Sequence, residues 1–433
     1  MTIKTNRRKF LSTTAVTAAA AGLATPLAAR AGSRWGANET INLGLIGCGG
    51  RGNQLIGGFR SLPGQQFVAV CDVHATRLGN TREKLGGDKV RAYGDYRALL
   101  DDKDVDAVIV ATNGHWHVLP TIDACRAGKD VYVEKPLGTS IGEGRAAVKA
   151  ARKYDRIVQI GTQQRSWEHY ARAADIIKSG RLGEISEVKV WDYDYFYPGF
   201  GSPPDCPPPK EPDWNLWLGP SPEVPYNPNR YAQHYWFFDY GGAWQLDWAV
   251  HHYDIVHWCM GVDAPLSAVA LGGNMCFEDC NTQWPDTFSG VLEYGPGPVA
   301  KKGFLLQYTF RAGCRRDQRS HCKLFLGSDA SMILDRSGYT ITPEKGKGDK
   351  EESFRGSGPN HQEVFLENVR NHTKPFADVE VGHRSSNPGH LLNIAWRTGR
   401  KINWDAATEK IVDDPQANKL VTKQYRRPWN LNV

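Results

Sequence analysis

The sequence predicts an α/β chain in two parts: an N-terminal domain on a parallel sheet, and a C-terminal α+β domain with an open, largely antiparallel sheet. Three observations carry the prediction. Between residues 41 and 160, short apolar runs alternate with helical patterns. The first run ends on the glycine-rich turn Gly47-Cys48-Gly49-Gly50-Arg51-Gly52. From Ser186 onward the pattern changes to alternation of period two, and strand-like runs follow one another.

At 433 residues the chain is long enough for two or three domains, and 40% hydrophobic with 23% charged residues is a globular balance. No apolar run beyond the first thirty residues reaches membrane-spanning length. Residues 1–31 hold five basic residues and no acid, so of the net +6 only +1 belongs to the rest, and a nucleic-acid partner is not expected. That segment resembles a twin-arginine export signal. Arg7-Arg8 precede Lys9-Phe10-Leu11, an Ala/Thr-rich stretch runs to Ala24, and Ala29-Arg30-Ala31 offers a cleavage site near Ala31. The expectation is export of a folded, cofactor-carrying protein to the periplasm. Nine cysteines do not make a disulfide scaffold; Cys48 and Cys71 read as core, while Cys276/Cys280 and Cys314/Cys322 leave room for one or two bridges. None has metal-type CxxC spacing.

In order, Ile41–Ile46 is the first strand, and its exit into G-x-G-x-x-G is a phosphate-binding turn. There, glycines allow the tight turn, close approach of backbone to a pyrophosphate, and helix–strand contact. Phe67–Cys71 is the second strand and ends at Asp72, twenty residues past Gly52, where a carboxylate accepts ribose hydroxyls and favours NAD over NADP; the plainer alternative is a turn cap. Residues 106–111 form a buried parallel strand, 121–127 part of a helix ending at Gly128, 130–133 the next strand, 141–154 a helix, and 157–160 the last strand. This is a Rossmann dinucleotide-binding domain over 38–160, followed by a substrate and oligomerisation domain over 161–400 and a C-terminal extension over 401–433. Ligands in such sheets lie beyond the carboxyl ends of the strands, which puts Thr112 to His117 and Glu134-Lys135 beside the cofactor.

From residue 41 to about 429 the chain resembles the Gfo/Idh/MocA oxidoreductases (glucose–fructose oxidoreductase, inositol dehydrogenase and relatives). The resemblance rests on Gly47–Gly52, on Ala111-Thr112-Asn113-Gly114-His115-Trp116-His117, on Glu134-Lys135-Pro136, on Gly161-Thr162-Gln163-Gln164-Arg165, and on 247–254. It implies Lys135 as a residue that hydrogen-bonds the substrate hydroxyl, with a cis Lys135–Pro136 bond. It also implies a cofactor site at Gly47, Gly49, Gly50, Arg51, Gly52, Asp72, Thr112, Trp116, His117, Glu134, Lys135 and Gln163. Packing is an equal alternative for at least one of His115 and His117.

In the second half, Val188–Tyr195 alternates with one aromatic face, and residues 191–258 hold 19 aromatic residues in 68, against 11% for the chain. Rings beside polar groups suit a sugar; a subunit interface or an ordinary core suits them too. On one continuous helix, Asp247, His251 and Asp254 would share a face, an imidazole flanked by carboxylates fit for acid–base work. A zinc site and a structural polar helix are the alternatives, and the resemblance points away from metal. It matches Asp247 and His251 to the family's catalytic pair. Arg165, Tyr193 and His252 complete the expected substrate side, although Arg165 would serve equally as an inter-domain ion pair. Later strands are expected near 269–271, 288–294, 304–310, 323–327 and 331–334, a flexible loop over 343–360, and helices at 361–372 and 389–400.

Together these readings predict an exported oxidoreductase that holds NAD (or NADP) tightly. His251 takes a proton from a secondary hydroxyl of a sugar or glycoside, with Lys135 polarising that oxygen and Asp247 holding the imidazole. A redox-neutral glycosidase of the same family, whose branch lacks the lysine of the Glu-Lys-Pro triplet, is the alternative. A sugar-binding protein without catalysis is the third. A homo-oligomer is expected.

Overall fold

The computed structural model describes residues 40–315, 319–348 and 350–433; the Arg7-Arg8 leader and its cleavage site lie outside the described residues. Six parallel strands form the first sheet: β1 (Ile41–Ile46), β2 (Gln65–Cys71), β3 (Arg91–Tyr93), β4 (Ala107–Val110), β5 (Asp130–Val133) and β6 (Val158–Ile160), in the order β3-β2-β1-β4-β5-β6. Every residue of β4 and β5 is buried, as the unbroken apolar runs require of strands covered on both faces. The order reverses between β1 and β4, so the crevice at their carboxyl ends is the place for a ligand.

The second sheet has ten strands: β7 (Ile185–Tyr193), β8 (Ser267–Gly273), β9 (Thr287–Tyr294), β10 (Phe304–Arg311), β11 (His321–Gly327), β12 (Ala330–Asp335), β13 (Gly338–Pro343), β14 (Glu352–Phe354), β15 (Ile402–Asp405) and β16 (Lys410–Ile411). Their order is β14-β13-β12-β11-β7-β10-β9-β8-β15-β16, antiparallel throughout except for β7 against β10. The stretch expected as a loop over 343–360 therefore carries β14, paired to β13 by Tyr339 opposite Phe354. Two bridges left open by the sequence are absent: Cys276 and Cys280 are unbridged, and Cys322 is a buried thiol directed at the Leu334 carbonyl.

The C-terminal half closes both flanks of the first sheet. The helix His361–Asn371 sets Phe365 edge-to-face against Phe59 (6.2 Å) and Tyr132 (5.8 Å), which themselves meet at 5.7 Å. All three rings are fully buried, worth roughly 1.5–3 kcal/mol each. The helix Val379–Thr398 starts ten residues before the expected position, because Pro388-Gly389 lies inside it rather than at its start. Asp378 caps it by accepting from the Glu380 N–H at 3.0 Å. Gly389 is needed for contact, since a Cβ there would lie 2.5 Å from the Gln245 carbonyl oxygen. The Ile160 N–H donates to the Ala377 carbonyl at 2.9 Å, which joins this segment to β6.

Most rings of the aromatic-rich stretch are core. Trp236, Phe237, Tyr240 and Tyr253 are buried, and Phe196, Phe200, Trp236 and Trp244 pack together beneath the proline-rich loop. Trp248 is half-buried, and around it the polar residues gather.

Candidate active site

Beyond β1 the chain turns at Gly47, whose φ of +101° and contact with the Ala111 carbonyl (2.6 Å from a built Cβ) exclude any side chain. The helix Gly50–Arg60 begins here, and at Gly52 a Cβ would sit 2.0 Å from the Gly47 carbonyl oxygen. By contrast, the space over Gly49 and Gly50 is open, so a phosphate can approach the first helical N–H groups. Asp72 is clamped by the Cys48 N–H (2.7 Å) and the His74 N–H (2.8 Å), which orients its carboxylate along an open cleft. Gly47, Gly49, Asp72 and Thr112 line this cleft. Two buried acceptors, Thr112 Oγ1 on this cleft and Gln163 Oε1 past the end of β6, have no hydrogen-bond partner, so the residues present fit a dinucleotide that brings its own polar groups.

Arg51 and Glu134 form one unit. The guanidinium donates to the buried Glu134 carboxylate at 2.7 Å and so ties the phosphate turn to the end of β5. Trp116 lines the cleft and donates to the Trp217 carbonyl at 2.9 Å; His115 reaches the same carbonyl at 2.9 Å. His117 lies between the Pro136 carbonyl (2.7 Å) and the Thr112 carbonyl (3.0 Å). Burial lowers its pKa, and a neutral ring has one N–H, so it bonds one carbonyl at a time. Both histidines are thus committed to backbone, and His117 acts on the cleft by fixing the Thr112 loop.

The Lys135–Pro136 bond is cis, and the half-buried Lys135 ammonium donates to the Asp247 carbonyl. Burial lowers the pKa of this lysine, against the opposing pull of Glu134 and Asp247. Here the expectation of one continuous helical face needs correction. One helix ends at Asp247 and the next begins at Val250, so the i,i+4 geometry is lost. The Asp247 carboxylate turns back to accept the Gly242 N–H at 2.8 Å, and no hydrogen bond joins it to His251. Burial pushes this carboxyl up to about 6. His251 is buried, its Nδ1 has no partner, and burial and the charge of Lys135 hold it well below the ordinary imidazole range. It is therefore a neutral imidazole able to accept a proton.

Asp254 is elsewhere. Arg165 donates to its two oxygens at 2.7 and 2.9 Å and Ser385 at 2.9 Å, with both charged side chains buried. Arg165 is thus held in a buried ion pair within the C-terminal domain rather than across the domain boundary, and its Nε is turned to Asp254 rather than offered to a substrate. Tyr193 is also displaced, because period two along β7 sends it to the face opposite Asp192, where the Arg311 guanidinium lies 3.6 Å from its ring. The carboxylate that orients an imidazole is Asp192, which sequence reasoning missed. It accepts from His252 Nε2 (2.9 Å), His321 Nδ1 (3.0 Å) and the Tyr308 hydroxyl (3.1 Å). Burial pushes His252 down to about 4, so this ring is a neutral donor.

A second omission is the roof. Leu216 and Trp217 come from the short helix Trp214–Leu218, and Trp429 from the C-terminal segment, which the sequence presented only as an extension. Trp429 meets Trp116 edge-on at 5.0 Å with Arg97 4.8 Å over its ring, and it lines the same cleft as Asp72. Arg426 anchors the segment by donating to the Gly219 carbonyl at 3.0 Å and to Asn215 at 2.9 Å.

Comparison with known proteins agrees with this arrangement. Residues 41–162 match the model for the NAD-binding Rossmann domain of the Gfo/Idh/MocA oxidoreductases, and residues 173–286 and 351–431 match that for their C-terminal alpha/beta domain. The myo-inositol 2-dehydrogenase of Thermotoga maritima is 23% identical over 372 residues, 84% of this chain and 98% of that protein. An inositol 2-dehydrogenase of Salmonella typhimurium is 32% identical over 147 residues, 34% of this chain and 44% of that protein. Among solved structures, the WlbA dehydrogenase of Bordetella pertussis, in complex with NADH and UDP-GlcNAcA, superposes with a TM-score of 0.63 at 18% identity, covering 85% of this chain and 99% of its own. With both domains matched, and with a turn, a carboxylate and orphaned acceptors that suit a dinucleotide, the chain belongs to the Gfo/Idh/MocA family and is an NAD-dependent oxidoreductase.

Proposed function

We propose that the protein oxidises a secondary hydroxyl of a sugar or glycoside, outside the cytoplasm, with NAD retained between turnovers. The observation that carries the reading is the convergence of Lys135 and His251 on Trp248, at 6.0 Å each from its ring, beyond the carboxyl end of β5. NAD in the cleft supplies the hydride acceptor. Lys135 donates a hydrogen bond to the reacting oxygen and stabilises the charge that develops on it. The neutral His251 imidazole accepts the hydroxyl proton. Asp247 acts one step back, by holding the Gly242 turn and offering its carbonyl to Lys135.

The chain's relatives, among them a myo-inositol 2-dehydrogenase and a dehydrogenase solved in complex with UDP-GlcNAcA, support a polyhydroxylated substrate. The Arg7-Arg8 leader supports export, and a roof of Leu216, Trp217 and Trp429 suits a cofactor that must not be lost where free NAD is scarce. Val269, Leu271 and Leu305, exposed on one face of the second sheet, support a second copy as partner. The test is a single-turnover reaction of the untreated protein with free sugars and glycosides, following reduced-nicotinamide absorbance and products. A lasting rise with a keto-sugar or lactone is expected. Release of an aglycone with no lasting rise would refute net oxidation and favour the redox-neutral glycosidase.

A further inference from the structure

Two cations lie over Trp248. The Arg336 guanidinium carbon lies 4.8 Å from its ring centre and the Lys135 ammonium 6.0 Å, with the His321 ring at 5.1 Å. The neighbouring carboxylates are already engaged: Glu134 by Arg51, Asp254 by Arg165, Asp335 by Arg319, and Asp192 by His252, His321 and Tyr308. Among the described residues, no carboxylate lies within ion-pair distance of Arg336, which stands in the turn between β12 and β13, or of Lys323 on β11. Lys323 is 1% exposed, with its ammonium 5.1 Å over the Tyr170 ring. A buried ammonium without a counter-ion is costly, and the Arg336 guanidinium, laid on an indole with its Nε–H toward the Gln164 amide oxygen at 3.3 Å, keeps its terminal N–H groups for something else.

We propose that the substrate carries an oxyanion, a carboxylate or a phosphate, that docks on Arg336 beside Trp248 with Lys323 beneath, so that the enzyme acts on acidic sugars in preference to neutral ones. The inference rests on the sugar-oxidising reading of the same cleft. It also bears on a difficulty in that reading: burial first, and then the charges of Lys135, Arg336 and Lys323, oppose protonation of His251, and an anion among those cations would offset their share.

The test is titration calorimetry on the NAD-loaded protein with matched ligands: a hexose, its uronic acid and its 6-phosphate, for the gluco, galacto and manno series. The wild type is expected to bind one anionic member about 10- to 150-fold more tightly than its neutral parent. Arg336→Gln should erase that preference without weakening the neutral sugar, and Arg336→Lys should restore part of it. Arg336 is exposed, so folding should survive both changes. A preference for the uronate identifies a carboxylate, and one for the 6-phosphate a phosphate. Equal binding of acid and neutral parent, no binding of any anion, or a preference that persists in Arg336→Gln overturns the proposal. Parallel measurement of reduced nicotinamide separates the two readings. An anion that binds without being oxidised leaves the subsite standing and counts against the sugar-oxidising function, whereas oxidation of neutral sugars with no anion preference does the reverse.

Discussion

Replacing Trp429 by Ala should loosen the cofactor without touching the chemistry. Its ring lines the same cleft as Asp72, whose carboxylate suits the adenosine ribose of a dinucleotide, and packs edge-on to Trp116 at 5.0 Å. The Arg426 bonds to Gly219 and Asn215 keep the segment in place when the ring is gone, so the loss is confined to one aromatic surface. An aromatic ring against a base contributes about 1–3 kcal/mol by alanine substitution, which corresponds to roughly 5- to 150-fold in Kd. NADH fluorescence titration measures this directly. Trp429→Phe should fall between wild type and Trp429→Ala. Nicotinamide mononucleotide, which lacks the adenosine, should bind all three equally. A Kd for NADH within twofold of wild type in Trp429→Ala, or an equal loss for the mononucleotide, would refute the assignment of the roof.

Three other outcomes follow from the site. His251→Ala should lower kcat roughly 10²–10⁴-fold with cofactor binding unchanged, and near-normal turnover would exclude it as the base. Asp247 has a folded pKa of about 6, above its ordinary value, so its contribution to stability is present below about pH 4 and lost as the pH rises through 6. Asp247→Asn should therefore gain up to about 3 kcal/mol over wild type between pH 4 and 8 by thermal unfolding, and a pH-independent difference would contradict this. Removing one member of the buried Arg165–Asp254 pair should cost about 3–5 kcal/mol, while Arg165→Met with Asp254→Leu should recover most of that loss, with KM unchanged. A KM that rises in the double variant would return Arg165 to the substrate.

Most of the parallel sheet was legible because β1, β2 and β5 are apolar runs that end at a chemical marker, Gly47, Asp72 and Glu134-Lys135, whereas β3, Arg91-Ala92-Tyr93, carries no such run and was missed. Local order sufficed there. The acid–base face was misread because a helical wheel assumes an unbroken helix, and the chain breaks between Asp247 and Val250. Asp192 was hidden among aromatic neighbours on an alternating strand; its role comes from His252 and His321, which are 60 and 129 residues away. The Val379–Thr398 helix was shortened because Pro388-Gly389 reads as a start, whereas packing against Gln245 and Ile160 sustains the helix through it. Trp429 and Arg336 carry no local signal at all, since each matters only through what the fold lays beside it.

The ring of Phe365 on Phe59 and Tyr132 also sets a timetable for synthesis. The nucleotide-binding sheet is encoded by Ile160, but the helix that covers one of its flanks ends at Asn371. At about 5–20 residues per second, the nascent sheet waits roughly 10–40 s on the ribosome with that apolar flank bare. During that interval it is a target for chaperones and for neighbouring nascent chains, and the first 160 residues made alone should aggregate unless the His361–Asn371 helix is supplied with them.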